Sequence, residues 1–297
     1  MFGALSRFWD RHEPWPKFTQ FTHALPEFAL PRKGPPPDPL PEVAILTPCR
    51  DAESDLARYF GLVDALDYPR DRVHLRLLEG DSRDETFAVA EALLAEREGR
   101  FASTDLIKLD LQTDISRVER KEVSLQRKRR GAIAVCRNRL LKAGLESGAE
   151  WFLFVDVDMA VVPPETLVEA MRWNAPILMA NCLKHAGAGI FDLNAFRYTR
   201  PISDRHAARY VSDGIYQPPG GYFRHYPSPN SPHEIEPLHS VGGTFLLIRR
   251  DVVAAGADFP EEPYQMHIET EGFALSAAEL GFGAFMPPHL IVRHGEH

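Results

Sequence analysis

The run Trp151-Phe152-Leu153-Phe154-Val155-Asp156-Val157-Asp158 constrains this chain more than any other segment. Five consecutive apolar residues read as a strand buried on both faces. That strand must stop at Val155, because neither carboxylate can follow it into an apolar interior. Asp156 and Asp158 then sit together at the strand's end, where two neighbouring anions repel unless a cation or fixed donors hold them. A hard divalent ion meets that need, commonly held by one or two carboxylates plus the oxygens of a substrate diphosphate. The alternative is a turn in which an Asp caps a helix ahead of Pro163-Pro164, a common use of Asp. On this segment alone the two readings stand level.

The surrounding pattern puts the strand in an α/β domain. From Glu42 onward short apolar runs alternate with longer segments of helical period, the signature of a mostly parallel sheet with helices on both faces. Strands are expected at 43–46, 73–78, 106–109, 151–155, 177–180, 244–248 and 290–292, and helices at about 53–66, 84–96, 131–145 and 271–280. Residues 110–130 are charged and read as loop or helix. Residues 191–226 hold five of the eight tyrosines with Phe191, Phe196 and Phe223 among Gly, Pro and His. Long irregular segments of this kind often form lids or binding loops. Their rings suit stacking on sugar faces, or serve as the small core of a loop-rich subdomain.

Composition excludes several classes. A chain of 297 residues, 44% of them hydrophobic, can bury a substantial core. Its net charge of -8 disfavours broad nucleic-acid binding. Cys49, Cys136 and Cys182 have no CxxC spacing, so neither a disulfide framework nor a zinc site is indicated, and buried reduced thiols in a cytoplasmic protein are expected. No apolar stretch approaches the ~20 residues of a membrane span. Residues 1–41 hold nine of the 25 prolines and read as an extended arm. Within it Phe2, Leu5, Phe8 and Trp9 fall at helical spacing. A short amphipathic helix there could lie peripherally on a membrane or partner surface, or dock on its own domain; the offset of Arg7 and Arg11 by Asp10 and Glu13 favours docking.

Residues just after the strands deserve the closest inspection, since ligands of open α/β sheets bind at the carboxyl ends of strands. The first strand runs into Thr47-Pro48-Cys49-Arg50-Asp51 and the second into Glu79-Gly80-Asp81-Ser82, so both meet the edge that carries Asp156 and Asp158. An Arg there can pair with phosphate, and an Asp can accept from a ribose or base. Taken singly, Arg50 and Asp81 are ordinary turn residues. Neither GxGxxG nor GxxxxGK[ST] follows the first strand, so metal and arginines would have to meet any phosphates. Arg137 is the better candidate for that role; the run Arg127 to Arg130 reads more as a solvated basic face, above all at Lys128 and Arg129. Glu269 and Glu271 open a helix, where the dipole favours carboxylates, or serve an acceptor hydroxyl and an oxocarbenium-like transition state. His294 ends the last strand and could give a neutral imidazole to a metal.

In order along the chain, these pieces resemble glycosyltransferase family 62, which includes the fungal Golgi α-mannosyltransferases of the mannan polymerase complexes. The resemblance rests on Ile45-Leu46-Thr47-Pro48 with Arg50 and Asp51, Tyr68-Pro69, and Gly80-Asp81-Ser82 with Asp84. It continues through Arg137-Asn138 with Leu140-Leu141, Asp156-Val157-Asp158 before Pro163-Pro164, Val241-Gly242-Gly243, Phe259-Pro260, His267 through Phe273, and His294. It implies a GT-A fold, a nucleotide-sugar donor that is GDP-mannose in the family, Mn2+ (or Mg2+), a glycan or lipid-linked acceptor, and transfer with retention. By that resemblance Asp156, Asp158 and His294 would hold the metal. Pro48, Arg50, Asp51, Asp81, Ser82, Arg137 and Asp156 would line the nucleotide pocket, and Glu269 and Glu271 would border the acceptor as catalytic candidates. Residues 42–160 would then form the nucleotide-sugar and metal half and 161–297 the acceptor half. Two departures stand out. Ser240 occupies a position that is acidic in family members, and the proline-rich arm stands where the fungal proteins have a membrane anchor, so a soluble, bacterial-type member is expected. Two other classes remain open: a non-catalytic scaffold subunit of a polysaccharide-assembly complex, and a metal-dependent nucleotidyltransferase or phosphohydrolase.

Overall fold

The computed structural model describes residues 26–115, 119, 122–185, 187 and 189–295. The chain begins with β1 (Val43–Cys49), α1 (Glu53–Ala65), β2 (Val73–Gly80), α2 (Thr86–Ala95), β3 (Ser103–Leu109), α3 (Gln126–Ser147) and β4 (Trp151–Val155), the alternation its hydrophobic pattern predicts. Next come β5 (Met159–Val161), α4 (Thr166–Met171), β6 (Ile177–Met179) and β7 (Asn181–Lys184). The aromatic segment contains only β8 (Arg197–Tyr198), the single-turn α5 (Asp204–Ala207), β9 (Val211–Ser212), β10 (Ile215–Tyr216) and β11 (Arg224–His225). The last elements are β12 (Glu236–Leu238), β13 (Phe245–Arg249), α6 (Arg250–Ala254), α7 (Glu269–Glu279), β14 (Ala284–Met286) and β15 (Ile291–His294).

Eight strands form one mixed sheet in the order β12-β14-β6-β13-β4-β1-β2-β3. β1 runs parallel to β2 and β4, whereas β13 is antiparallel to both β4 and β6. A smaller sheet, β5-β15-β7, stands beside it. The core splits by strand period: Trp151, Leu153 and Val155 face one cluster with Leu56 and Phe60 of α1, and Phe152 and Phe154 face the other with Leu140 of α3 and Phe273 of α7. Extending that alternation by one step directs Asp156 toward α3.

Differences from the expected elements have physical causes. α3 starts at Gln126, five residues earlier than expected, because the Arg and Lys run is itself good helix-forming sequence. Gly131 is no helix start; a Cβ there would lie 2.7 Å from the Glu261 carbonyl oxygen. β3 reaches back to Ser103 because it is the sheet's edge strand, where polar residues are tolerated. Residues 26–41 have no helix or strand and lie against the domain. Lys33 Nζ is 2.8 Å from Glu169, the Gly34 amide donates to the Arg172 carbonyl, and Phe28 occupies the space left by Gly283. The helical spacing at Phe2 to Trp9 falls outside the described residues. All three cysteines are buried and free. Among the described residues no helix is long and apolar enough to cross a membrane.

Candidate active site

Strand β4 ends at Val155, and neither Asp after it caps a helix. Instead the Asp156 amide bonds to the Thr244 carbonyl, the Met159 amide turns back onto the Asp156 carbonyl, and β5 leads away. In β15, His294 pairs with Met159 of β5, and the Gly295 amide donates to the Asp158 carbonyl at 2.9 Å. This pairing carries His294 to the aspartates across the sequence. Its Nε2 lies 2.9 Å from Asp158 Oδ1, while Nδ1 lies 2.8 Å from the Gly295 carbonyl, which fixes the donor on Nδ1 and aims Nε2 inward. Ligand atoms of Asp156, Asp158 and His294 all fall within 4.8 Å of one another.

The electrostatics of the cluster call for positive charge. Burial, with the like charges of Asp158 and Asp192, pushes the Asp156 carboxyl up to about 7, against the opposing pull of Arg137 and His294. Burial by itself would lower the His294 imidazole; its hydrogen bond to Asp158 and the charges of both aspartates outweigh that and raise it.

A cavity of about 260 Å³ opens beside the cluster, with Pro48, Arg50, Arg130, Arg137, Asp156, Asp158 and Glu269 among its walls. Arg137 is 5% exposed and its guanidinium packs against the rings of Phe154 and Phe259, 5.0 and 5.5 Å from their centroids. Its Nη2 stands 3.5 Å from Asp156 Oδ1, and its Nε and Nη1 are buried without a hydrogen-bond partner. Unpaired buried donors are costly, so donors left this way beside a cavity fit an anionic ligand. Arg129, expected on a solvated face, also lines the cavity, whereas Lys128 is exposed as expected.

Helix α7 opens with both glutamates, and the structure separates their surroundings. Glu269 faces the cavity, its Oε1 3.2 Å from Arg130 Nη1 and its buried Oε2 without a partner. Glu271 faces the aromatic segment, 3.4 Å from Arg224, whose guanidinium lies 3.9 Å over Phe196. Burial raises the Glu271 carboxyl to about 7, with Arg224 and Arg130 opposing.

Four expected nucleotide residues spend polar atoms on loops. Asp81, with φ of 58°, accepts from the Leu111 and Thr113 amides and from the Thr113 hydroxyl. Burial would raise its carboxyl, but these bonds, with the charge of Arg50, lower it. Asp51 accepts from the Arg83 amide and Ser82 from the Asp51 amide, which ties the ends of β1 and β2 together. Arg50 donates to Thr113 Oγ1 at 2.6 Å and to the Ile115 carbonyl at 2.9 Å while still lining the cavity. Asp51, Asp81 and Ser82 are not among the lining residues.

Sequence reasoning missed Asp192. It is 6% exposed, accepts from Thr244 Oγ1 at 3.2 Å, and bears on Asp156 through its charge. Gly242 and Gly243 make the space these groups use: a Cβ would lie 1.8 Å from Asp192 Oδ2 at the first and 2.0 Å from Arg137 Nη2 at the second. The glycine pair was the one available signal. Ser240 is buried, its hydroxyl donating to the Asn194 carbonyl at 2.6 Å, so it braces the loop that carries Asp192.

Known proteins resemble this chain in fold and in sequence. The solved structure of mannosyltransferase PcManGT from Pyrobaculum calidifontis, in complex with GDP-Man and Mn2+, superposes with a TM-score of 0.53 over 86% of this chain and 57% of that one, at 15% identity. That likeness is one of fold, and the fold is GT-A. The mannan polymerase complex subunit mnn9 of Schizosaccharomyces pombe is 31% identical over 279 residues, which cover 86% of this chain and 80% of that protein. The mannan polymerase II complex anp1 subunit of the same yeast is 27% identical over 86% of this chain, which spans only 64% of that relative's length. A family model described as Anp1 matches residues 38–263. With that match over most of its length and a relative at 31% identity, the chain belongs to the Anp1 family of glycosyltransferases, family 62.

Proposed function

We propose that this chain is a metal-dependent, retaining glycosyltransferase that moves mannose from GDP-mannose to a glycan or lipid-linked acceptor. The observation that carries the reading is the cluster of Asp156, Asp158 and His294 at the carboxyl end of β4, opening on a cavity walled by Arg137 and Arg130. Two carboxylates and an imidazole turned inward by its own Nδ1 bond make a mixed oxygen and nitrogen set that suits Mn2+, with Mg2+ as the substitute. An ion held there would neutralise charge on the diphosphate leaving group. Mannose and GDP are suggested by relatives that are mannan polymerase subunits and by a structural neighbour that holds GDP-Man.

The remaining steps belong to side chains. Arg137 offers its unpartnered Nε and Nη1 to phosphate oxygens, from a buried position that costs no reorganisation. Pro48 and Arg50 wall the nucleotide, and Asp51, Asp81 and Ser82 hold the loops behind it. Glu269 presents Oε2 to a hydroxyl in the cavity, and Glu271 borders the acceptor side. The acceptor oxygen attacks the anomeric carbon as the sugar–phosphate bond breaks; attack from the same face retains configuration, and the departing phosphate takes the hydroxyl proton.

Purified protein with Mn2+ and a panel of nucleotide sugars tests this by nucleotide release, with calorimetry of GDP, UDP and CMP with and without metal. Metal-dependent GDP binding and sugar transfer are expected. A second reading, a scaffold subunit, is favoured by the fact that the fungal relatives are complex subunits, and it requires neither. Release without transfer to any acceptor would instead indicate a phosphohydrolase.

A further inference from the structure

Of the aromatic residues that the sequence marks between 191 and 226, Phe191 stands beside the metal cluster. Its ring lies parallel to the His294 imidazole, with centroids 3.6 Å apart and planes 12° apart. It is nonetheless 37% exposed, so part of the ring is open to a ligand. Because one face rests on the imidazole, the exposure belongs to the other face and the edge. Leu193 is 55% exposed and Asp192, between them, is buried, so the segment alternates outward, inward, outward past the cluster. The segment is well anchored: the Phe191 amide donates to the Cys182 carbonyl of β7 at 2.8 Å. Phe196 is fully buried, and Phe223 lies under the Arg200 guanidinium at 3.6 Å.

We propose that Phe191 is the stacking platform for the pyranose ring of the acceptor, a subsite that rests on the transferase reading above. A pyranose has a face of C–H groups, and a fixed aromatic ring covers that face with little ordering cost. The nucleotide belongs elsewhere. Nε2 of His294 turns to Asp158, which lines that cavity, whereas Phe191 occupies the flat side of the imidazole and does not line it. Leu193 extends the platform toward solvent, where the next residue of a chain or an aglycone would lie.

The test uses the full chain, GDP-mannose, Mn2+ and methyl α-mannopyranoside as the acceptor probe. Phe191→Ala should raise the acceptor KM about tenfold, the size of one aromatic contact, with kcat and the donor KM nearly unchanged. Phe191→Trp should restore it. In parallel, saturation-transfer NMR of the glycoside, in diamagnetic Mg2+ with GDP and again without nucleotide, should show ring C–H contact in wild type and the Trp variant and none in the Ala variant. An unchanged acceptor KM or an unchanged NMR contact in Phe191→Ala overturns the platform. So does an equal loss of metal-dependent GDP affinity, which would make the ring only a support for His294. Should wild type bind no GDP, the transferase reading fails, and the nucleotide-free glycoside titration still decides Phe191.

Discussion

Gly243→Ala is the sharpest single perturbation of the site. Its φ lies outside the left-handed region, so alanine strains no backbone, and the effect is a collision. The new Cβ would lie 2.0 Å from Arg137 Nη2 and 2.6 Å from its Cζ, where ordinary contact begins at 3.4 Å. The guanidinium must retreat by about 1.4 Å, yet it is buried against the fully buried rings of Phe154 and Phe259. A retreat directed away from Asp156 takes the 3.5 Å pair to about 5 Å. At an effective dielectric near 20 the attraction falls from about 4.7 to about 3.4 kcal/mol, a loss of roughly 1 kcal/mol. Overpacking adds about 1–3 kcal/mol, so Tm should drop by about 3–8 °C. Metal-dependent GDP affinity should weaken about tenfold or more as the two donors swing away. The assay is a double-mutant cycle with Arg137→Met, read by thermal melts and GDP calorimetry in Mn2+. If the collision is the cause, Gly243→Ala adds less than about 0.5 kcal/mol once the guanidinium is gone. Equal costs in both backgrounds would refute this reasoning.

Asp158→Ala should leave the melt within a few degrees of wild type and weaken Mn2+-dependent GDP affinity by at least about tenfold, because one of the three proposed ligands is lost; normal affinity in calorimetry removes the metal assignment. Glu271, raised to about 7 by burial, keeps a proton in the folded state that the unfolded chain releases near 4.5. Stability from this group therefore falls as pH rises from 4.5 to 7, and Glu271→Gln should flatten the decline of Tm across that window; an unaltered slope contradicts the raised value. Gly131→Ala should lower Tm although alanine favours helices by about 1 kcal/mol, because its Cβ would meet the Glu261 carbonyl at 2.7 Å; a rise in Tm would mean that backbone yields freely.

The legible parts of this protein are those written in short-range period. Alternation in Trp151 to Val155 set both faces of β4, placed Asp156 past its end, and directed that carboxylate toward α3, where Arg137 meets it. Arg50 and Asp81 stood on the same sheet edge as read, though only the structure showed their side chains holding the 111–115 segment. The start of α3 was misread because Gly131 looks like a boundary in sequence, and its reason is a neighbouring backbone.

Sequence alone determined the alternating α/β order, the end of β4, and the pairing of Asp156 with Asp158 just past it, since each follows from what neighbouring residues can bury together. Tertiary structure alone decided that His294 reaches those aspartates through the β5–β15 pairing, that Asp192 turns inward from an irregular loop, and that Gly242 and Gly243 clear the space for Asp192 and Arg137. Those contacts join segments with no shared period. They depend on strand register and close approach, which a chain acquires only when its distant parts pack against one another.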